Sequence, residues 1–93
     1  MYIVYILQSL KDLKTYTGYT ENLKVRLQQH NSGKVDATKN RRPLVIIFTE
    51  EVGSLLEVKS RELYWKSGVG RRKLKSYFKF GFPPNGIGRG SLK

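Results

Sequence analysis

Apolar positions gather first in one unbroken run, Tyr2-Ile3-Val4-Tyr5-Ile6-Leu7, rich in β-branched and aromatic types. A run of that length and type predicts a buried strand over residues 2–8. Ser9 to Lys14 is polar and predicts a turn. Thr15-Tyr16-Thr17-Gly18-Tyr19-Thr20 then alternates Thr and Tyr, as the second strand of a hairpin would. From Glu21 to Asn31 the period lengthens: Leu23 and Leu27 stand four apart, Thr20 or Asn22 offers a cap, and Asn31-Ser32-Gly33 a stop, so a helix is predicted. Lys34 to Arg42 is a basic loop, after which Pro43 opens a third strand, Leu44 to Thr49. Gly53 breaks it, and Ser54 with Glu57 three residues on forms a capping box for a second helix that runs to about Ser67. Gly68-Val69-Gly70 reads as a break, and Arg71 to Phe80 as a short basic helix or strand. The order β-β-α-β-α-α predicts a small α/β (α+β) sandwich, a three-stranded, largely antiparallel sheet flanked by helices. One domain is expected over residues 1–80, with a flexible Gly/Pro-rich basic tail over 81–93.

Composition narrows what such a domain can do. Ninety-three residues suffice for one domain and a modest core. With no cysteine, a disulfide scaffold, a cysteine zinc site and a thiol nucleophile are excluded; with His30 as the one histidine, so is a histidine-rich metal site. The first apolar run is too short to span a bilayer and is not a signal peptide, so a cytoplasmic, membrane-free protein is the default expectation. Charge changes the picture more. The formal net charge is +11, and all seven acids lie at or before Glu62, leaving a one-signed remainder in which Tyr64, Trp65, Tyr77, Phe78, Phe80 and Phe82 interleave with Lys and Arg. A basic surface alone could be mere solvation, but that interleaving favours a polyanion partner, DNA first and RNA second.

Several side chains could carry chemistry, each with an ordinary structural alternative. If Tyr5 pairs with Gly18 in the hairpin, Tyr16 falls opposite Leu7, and the two tyrosines share a face as diagonal neighbours; a one-residue slip would part them. In that register Gly18 leaves room beside the Tyr5 phenol for a substrate or water. The alternative is two tyrosines that merely pack on the sheet. Arg26 and His30, four apart on the first helix, sit at the edge of the Leu23/Leu27 face, where Arg26 could clamp a phosphate or simply belong to a solvated basic face. Glu62 shares a stripe with Leu55, Val58 and Trp65 that is otherwise apolar. A carboxylate there needs a partner, either a divalent ion or a lysine such as Lys59 or Lys66. Lys66-Ser67-Gly68-Val69-Gly70-Arg71-Arg72 is a loose candidate phosphate loop without Walker A spacing. Lys39, Arg41, Arg42, Lys66, Arg71, Arg72, Lys73 and Lys75 are the candidate nucleic-acid contacts.

Taken in order, these residues resemble the GIY-YIG nuclease family across about residues 2–78. Ile3-Val4-Tyr5 stands in the GIY place and Tyr16-Thr17-Gly18 in the YIG place. Asn22-Leu23, Arg26-Leu27, His30 and Asn31-Ser32-Gly33 are similar to the helix that carries the family's arginine, and Arg61-Glu62 with Lys66-Ser67-Gly68 to the stretch that carries its metal-binding glutamate. Ile3 and Thr17 depart from the motif letters, and Asn85 is the one candidate for the family's further asparagine. The resemblance is to a small stand-alone member of excinuclease-like type, similar to the nuclease domain of the bacterial nucleotide-excision-repair endonuclease. It implies a DNA endonuclease of repair, recombination or mobile-element kind. It implies one Mg²⁺ or Mn²⁺ on Glu62, catalytic roles for Tyr5, Tyr16, Arg26 and His30, and 5′-phosphate and 3′-hydroxyl products. The extra DNA-binding domains of larger members are not expected here, so a protein partner that supplies specificity is expected. The other expectation is a non-catalytic module that uses the same basic surface and stacking aromatics.

Overall fold

The computed structural model describes residues 1–83; Asn85 and most of the expected tail lie outside the described residues. Three strands, β1 (Tyr2–Ser9), β2 (Thr15–Thr20) and β3 (Leu44–Val52), form one sheet in the order β2-β1-β3, antiparallel throughout. β1 is therefore central and covered on both faces, which is why Val4, Tyr5, Ile6 and Leu7 are all buried although they point alternately to opposite sides. The helix α1 (Leu23–Asn31) covers one face, over Tyr5, Leu7, Leu44 and Ile46, with Tyr16, Leu23 and Leu27 packed alongside. Helices α2 (Leu55–Lys66) and α3 (Gly68–Phe80) cover the other, over Val4, Ile6, Phe48 and Val52, through Val58, Trp65 and Leu74. The predicted order β-β-α-β-α-α and the antiparallel sheet are those observed.

Local chemistry accounts for the boundaries. Asn22 caps α1 by accepting from the Val25 N–H at 3.1 Å. At the other end Asn31 exchanges two hydrogen bonds with the backbone of Leu44, donating at 3.0 Å and accepting at 2.8 Å, and so ties α1 to the first residue of β3. Ser54 caps α2 through the Glu57 N–H. The expected third strand is longer than the apolar run suggested, continuing through Glu50 and Glu51 to Val52. The Ile6–Leu7 step of β1 faces a bulge in β3: Ile6 pairs with Phe48 and Leu7 with Ile46, so Ile47 is the extra residue.

Of the two alternatives for Arg71 to Phe80, the helix is the one observed, and one reading is corrected: Gly68-Val69-Gly70 is not a break but the first turn of α3. Ser67 ends α2 and also starts α3, its hydroxyl oxygen accepting from the Gly70 N–H at 3.3 Å. Gly70 is needed for a close approach: a Cβ there would strike the Tyr64 carbonyl oxygen and lie 2.6 Å from Trp65 Cα. Gly70, which looked like part of a helix breaker, thus allows two helices to meet at a one-residue corner.

Candidate active site

The hairpin register is the one that brings the tyrosines together. Tyr5 pairs with Gly18 and Leu7 with Tyr16, and the two phenol rings lie 6.4 Å apart on the face covered by α1. Gly18 does not leave an empty space, as the sequence suggested. A Cβ on it would sit 2.6 Å from Tyr5 Oη and 2.8 Å from Cζ, so the Tyr5 ring itself lies across the bare backbone of β2. Without a side chain at position 18, the phenol can reach outward from the central strand over the edge strand.

α1 supplies what meets it. Arg26 and His30 are one turn apart and both reach Tyr5 Oη: Arg26 Nε donates to it at 3.2 Å, and His30 Nε2 lies 2.9 Å away. Arg26 Nη1 donates to Gln29 Oε1 at 3.0 Å, and the guanidinium also interacts with the Tyr16 phenol. One arginine thus serves both tyrosines. Burial pushes the Tyr5 phenol above its ordinary value of 10, more than the Arg26 guanidinium pulls it down; the Tyr16 and Glu62 charges add to the rise. His30 is 0% exposed, not the surface or capping residue a lone histidine suggests. Burial and the neighbouring Arg26 charge hold it down at about 4, so it is a neutral imidazole at pH 7. Its Nδ1 lies 2.7 Å from the hydroxyl of Thr38, also fully buried. Thr38 was invisible in the sequence: it sits in an irregular basic loop where no periodicity singles out one threonine.

Glu62 stands apart from this hydrogen-bonded group. It lies on α2, on the other side of the sheet, yet near enough for its charge to add to the rise of the Tyr5 phenol. Its side chain is 22% exposed and pairs with Lys66 Nζ at 3.4 Å, the lysine partner that the sequence offered as the alternative. The stripe is not buried along its whole length, since Leu55 at its start is 44% exposed. No group of three His, Cys, Asp or Glu side chains is arranged to hold a metal among the described residues. A hard ion such as Mg²⁺ needs only one or two carboxylates, with water and phosphate oxygens for the rest, and a partly exposed Glu62 fits that requirement.

The candidate nucleic-acid contacts do not form one surface. Beside Tyr16 a cleft of about 390 Å³ is lined by Trp65, Lys66, Arg71, Lys75 and Phe78. Arg71 and Lys75, four apart on α3, share that side. Lys73 lines a different groove with Glu50, Arg61, Tyr64 and Tyr77, and Arg72 is exposed near Gly68. Lys39 and Arg42 line a third hollow with Lys11 and Asn31. There Lys39 pairs with Asp36 at 3.7 Å and Arg42 Nε donates to the Lys39 carbonyl at 2.8 Å, while Arg41 is held by Asp12 at 3.2 Å.

Comparison with known proteins gives the same family along nearly the whole domain. The GIY-YIG catalytic domain model matches residues 1–75. A UPF0213 protein of Syntrophus aciditrophicus is 46% identical over 74 residues, 77% of this chain and 84% of that protein. One from Staphylococcus haemolyticus is 42% identical over 73 residues, 77% and 88% of the two chains. The solution NMR structure of a UPF0213 protein from Bacillus halodurans superposes with a TM-score of 0.53 at 34% identity, covering 89% of each chain.

Proposed function

The chain belongs to the GIY-YIG family, and from that premise we propose that it is a metal-dependent endonuclease that hydrolyses phosphodiester bonds in DNA. The observation that carries this reading is Arg26 hydrogen-bonded to Tyr5 and interacting with Tyr16, which itself borders a cleft lined by Lys66, Arg71 and Lys75. Tyr5, held protonated by burial, positions the attacking water through its phenol oxygen. Tyr16, which borders the cleft, takes the water's proton in this reading. The Arg26 guanidinium stabilises the charge that develops on the phosphoryl oxygens. Neutral His30 orients Tyr5. Glu62 would hold the divalent ion, and an ion bound there would supply Lewis-acid polarisation of the scissile phosphate and charge stabilisation for the leaving 3′ oxygen. Lys66, Arg71 and Lys75 would hold flanking phosphates, giving affinity without reading sequence. Specificity would then come from a protein partner.

The Glu62–Lys66 ion pair favours the second reading, a binding module whose carboxylate is structurally spoken for. A nicking assay on plasmid, flap and junction DNA, with Mg²⁺ or Mn²⁺ and with chelator, separates the two. Cleavage by the wild type, loss of it in Glu62→Gln with DNA binding retained, and a loss of roughly 10²–10⁴-fold in Tyr5→Phe are the results expected of the nuclease. Salt-sensitive binding with no metal-dependent cleavage on any substrate would make it a binding module.

A further inference from the structure

Every hydrogen in the buried group around His30 can be assigned a place, and the accounting selects one arrangement. Arg26 Nε carries a fixed hydrogen and donates to Tyr5 Oη. The Tyr5 hydroxyl hydrogen must then go either to His30 Nε2 or elsewhere, and no other acceptor within the described residues bonds to Tyr5 Oη. Tyr5 is 1% exposed, and an unspent buried donor is costly. If Tyr5 donates to Nε2, His30 carries its proton on Nδ1 and donates it to Thr38 Oγ1 at 2.7 Å. The Thr38 hydroxyl in turn reaches the Val35 carbonyl at 3.5 Å. In that chain each hydrogen has an acceptor. With the proton on Nε2 instead, His30 would donate to Tyr5 Oη, which would then accept twice and be left with a hydroxyl hydrogen that has nowhere to go.

We propose that Thr38 is a positioning residue that fixes His30 in the Nδ1–H tautomer, so that the Tyr5 hydroxyl points inward to Nε2 and its oxygen lone pair faces the reacting water. The direction of that one hydroxyl decides whether Tyr5 meets water as an acceptor or a donor. An acceptor can orient the water and draw its lone pair toward phosphorus; a donor would occupy that lone pair and blunt the attack. A neutral imidazole is required throughout, and the held-down titration of His30 is consistent with that. Thr38's effect on cleavage rests on the nuclease function above, whereas its hold on the tautomer does not.

His30 is the only histidine in the chain, so its ring nitrogens can be observed without ambiguity. Two-dimensional ¹⁵N–¹H NMR of the ¹⁵N-labelled protein at pH 7 should show a protonated Nδ1 and a bare Nε2. Thr38→Val, which keeps the shape and removes the hydroxyl, should shift the population toward Nε2–H; Thr38→Ser should restore the wild-type pattern. If the proposal holds, kcat falls by about 10–100-fold in Thr38→Val with KM little changed, the order of loss seen for the outer partners of metal-bound histidines. Thr38→Ser should recover most of it. An Nε2–H tautomer or an imidazolium in the wild type overturns the proposal without any variant being needed, as does an unchanged tautomer in a folded Thr38→Val. A wild type that shows the Nδ1–H tautomer but never cleaves DNA would uphold the hydrogen-bond assignment and remove the nuclease reading alone.

Discussion

Gly18 shows how one missing side chain positions a phenol. A methyl at that position must displace either the Tyr5 phenol or the β2 backbone, and the phenol is tied to Arg26 and His30. Gly18→Ala should therefore lower cleavage about as far as Tyr5→Phe, roughly 10²–10⁴-fold. In single-turnover kinetics the double variant should be little worse than either alone, because both act through the same oxygen. Additive losses would mean that Gly18 serves something other than Tyr5. His30 carries a different consequence. Its folded pKa of about 4 lies below the ordinary 6.5, so folding favours the neutral ring. The stability this gives is complete above pH 6.5 and is lost as the pH falls toward 4, where the folded ring itself takes a proton; the loss is about 3 kcal/mol at ~1.4 kcal/mol per unit. Asp12, held below 3.8 mainly by the Lys14 backbone N–H, adds its own loss only at lower pH. Urea titrations at pH 7, 5 and 4 should show the midpoint falling in the wild type and a flatter profile in His30→Gln; a flat wild-type profile would count against a neutral buried ring. At this scale the sequence carried much of the site, because Tyr5, Tyr16, Arg26 and His30 obey the periods of a strand pair and a helix. Thr38 obeys none, and the space over Gly18 could not be known to be filled until the Tyr5 rotamer was seen.

The elements meet where backbone comes close to backbone, and these places were the hardest to read from composition. In isolation Gly68 and Gly70 cost a helix about 1 kcal/mol each relative to alanine, which is why the segment read as a break. The corner between α2 and α3 reverses that preference, since only a residue without Cβ fits over Tyr64 and Trp65 at position 70. Gly70→Ala, a better helix former, should be destabilising by about 1–3 kcal/mol through overpacking against backbone that cannot yield. Gly68→Ala, where the nearest contact is the far end of Arg72 at 3.5 Å, should be neutral or mildly stabilising. A denaturant midpoint for each variant checks the pair, and equal effects would mean that the corner is looser than its geometry implies. Ser54 and Asn22 were legible as caps because a capping side chain works within three residues of its own backbone. The Asn31–Leu44 pair links residues thirteen apart, and no local pattern announces it.

Across the whole molecule, a formal charge of +11 says that polyanions will be attracted but not where they will lie. Arg71, Arg72, Lys73 and Lys75 are close in sequence, yet a helix sends adjacent residues about a quarter-turn apart. In the fold Arg71 and Lys75 line the cleft beside Tyr16, and Lys73 lines the groove that holds the Glu50–Arg61 pair. Two double variants remove the same charge from different sides. If the DNA path runs through the cleft, replacing Arg71 and Lys75 with alanine should make the slope of log K against log salt shallower by up to about 1.8, at ~0.9 per phosphate lost. Replacing Arg72 and Lys73 should move it much less, and affinity should fall alike on all sequences in both cases, since these contacts read no bases. Fluorescence anisotropy on duplex DNA between low and moderate salt measures both slopes. Equal changes would show that only net charge matters and that no path is defined. A larger change for Arg72 and Lys73 would move the DNA to the Arg61 side of α2, away from Tyr16, and would separate binding from the tyrosine pair that the proposed hydrolysis needs.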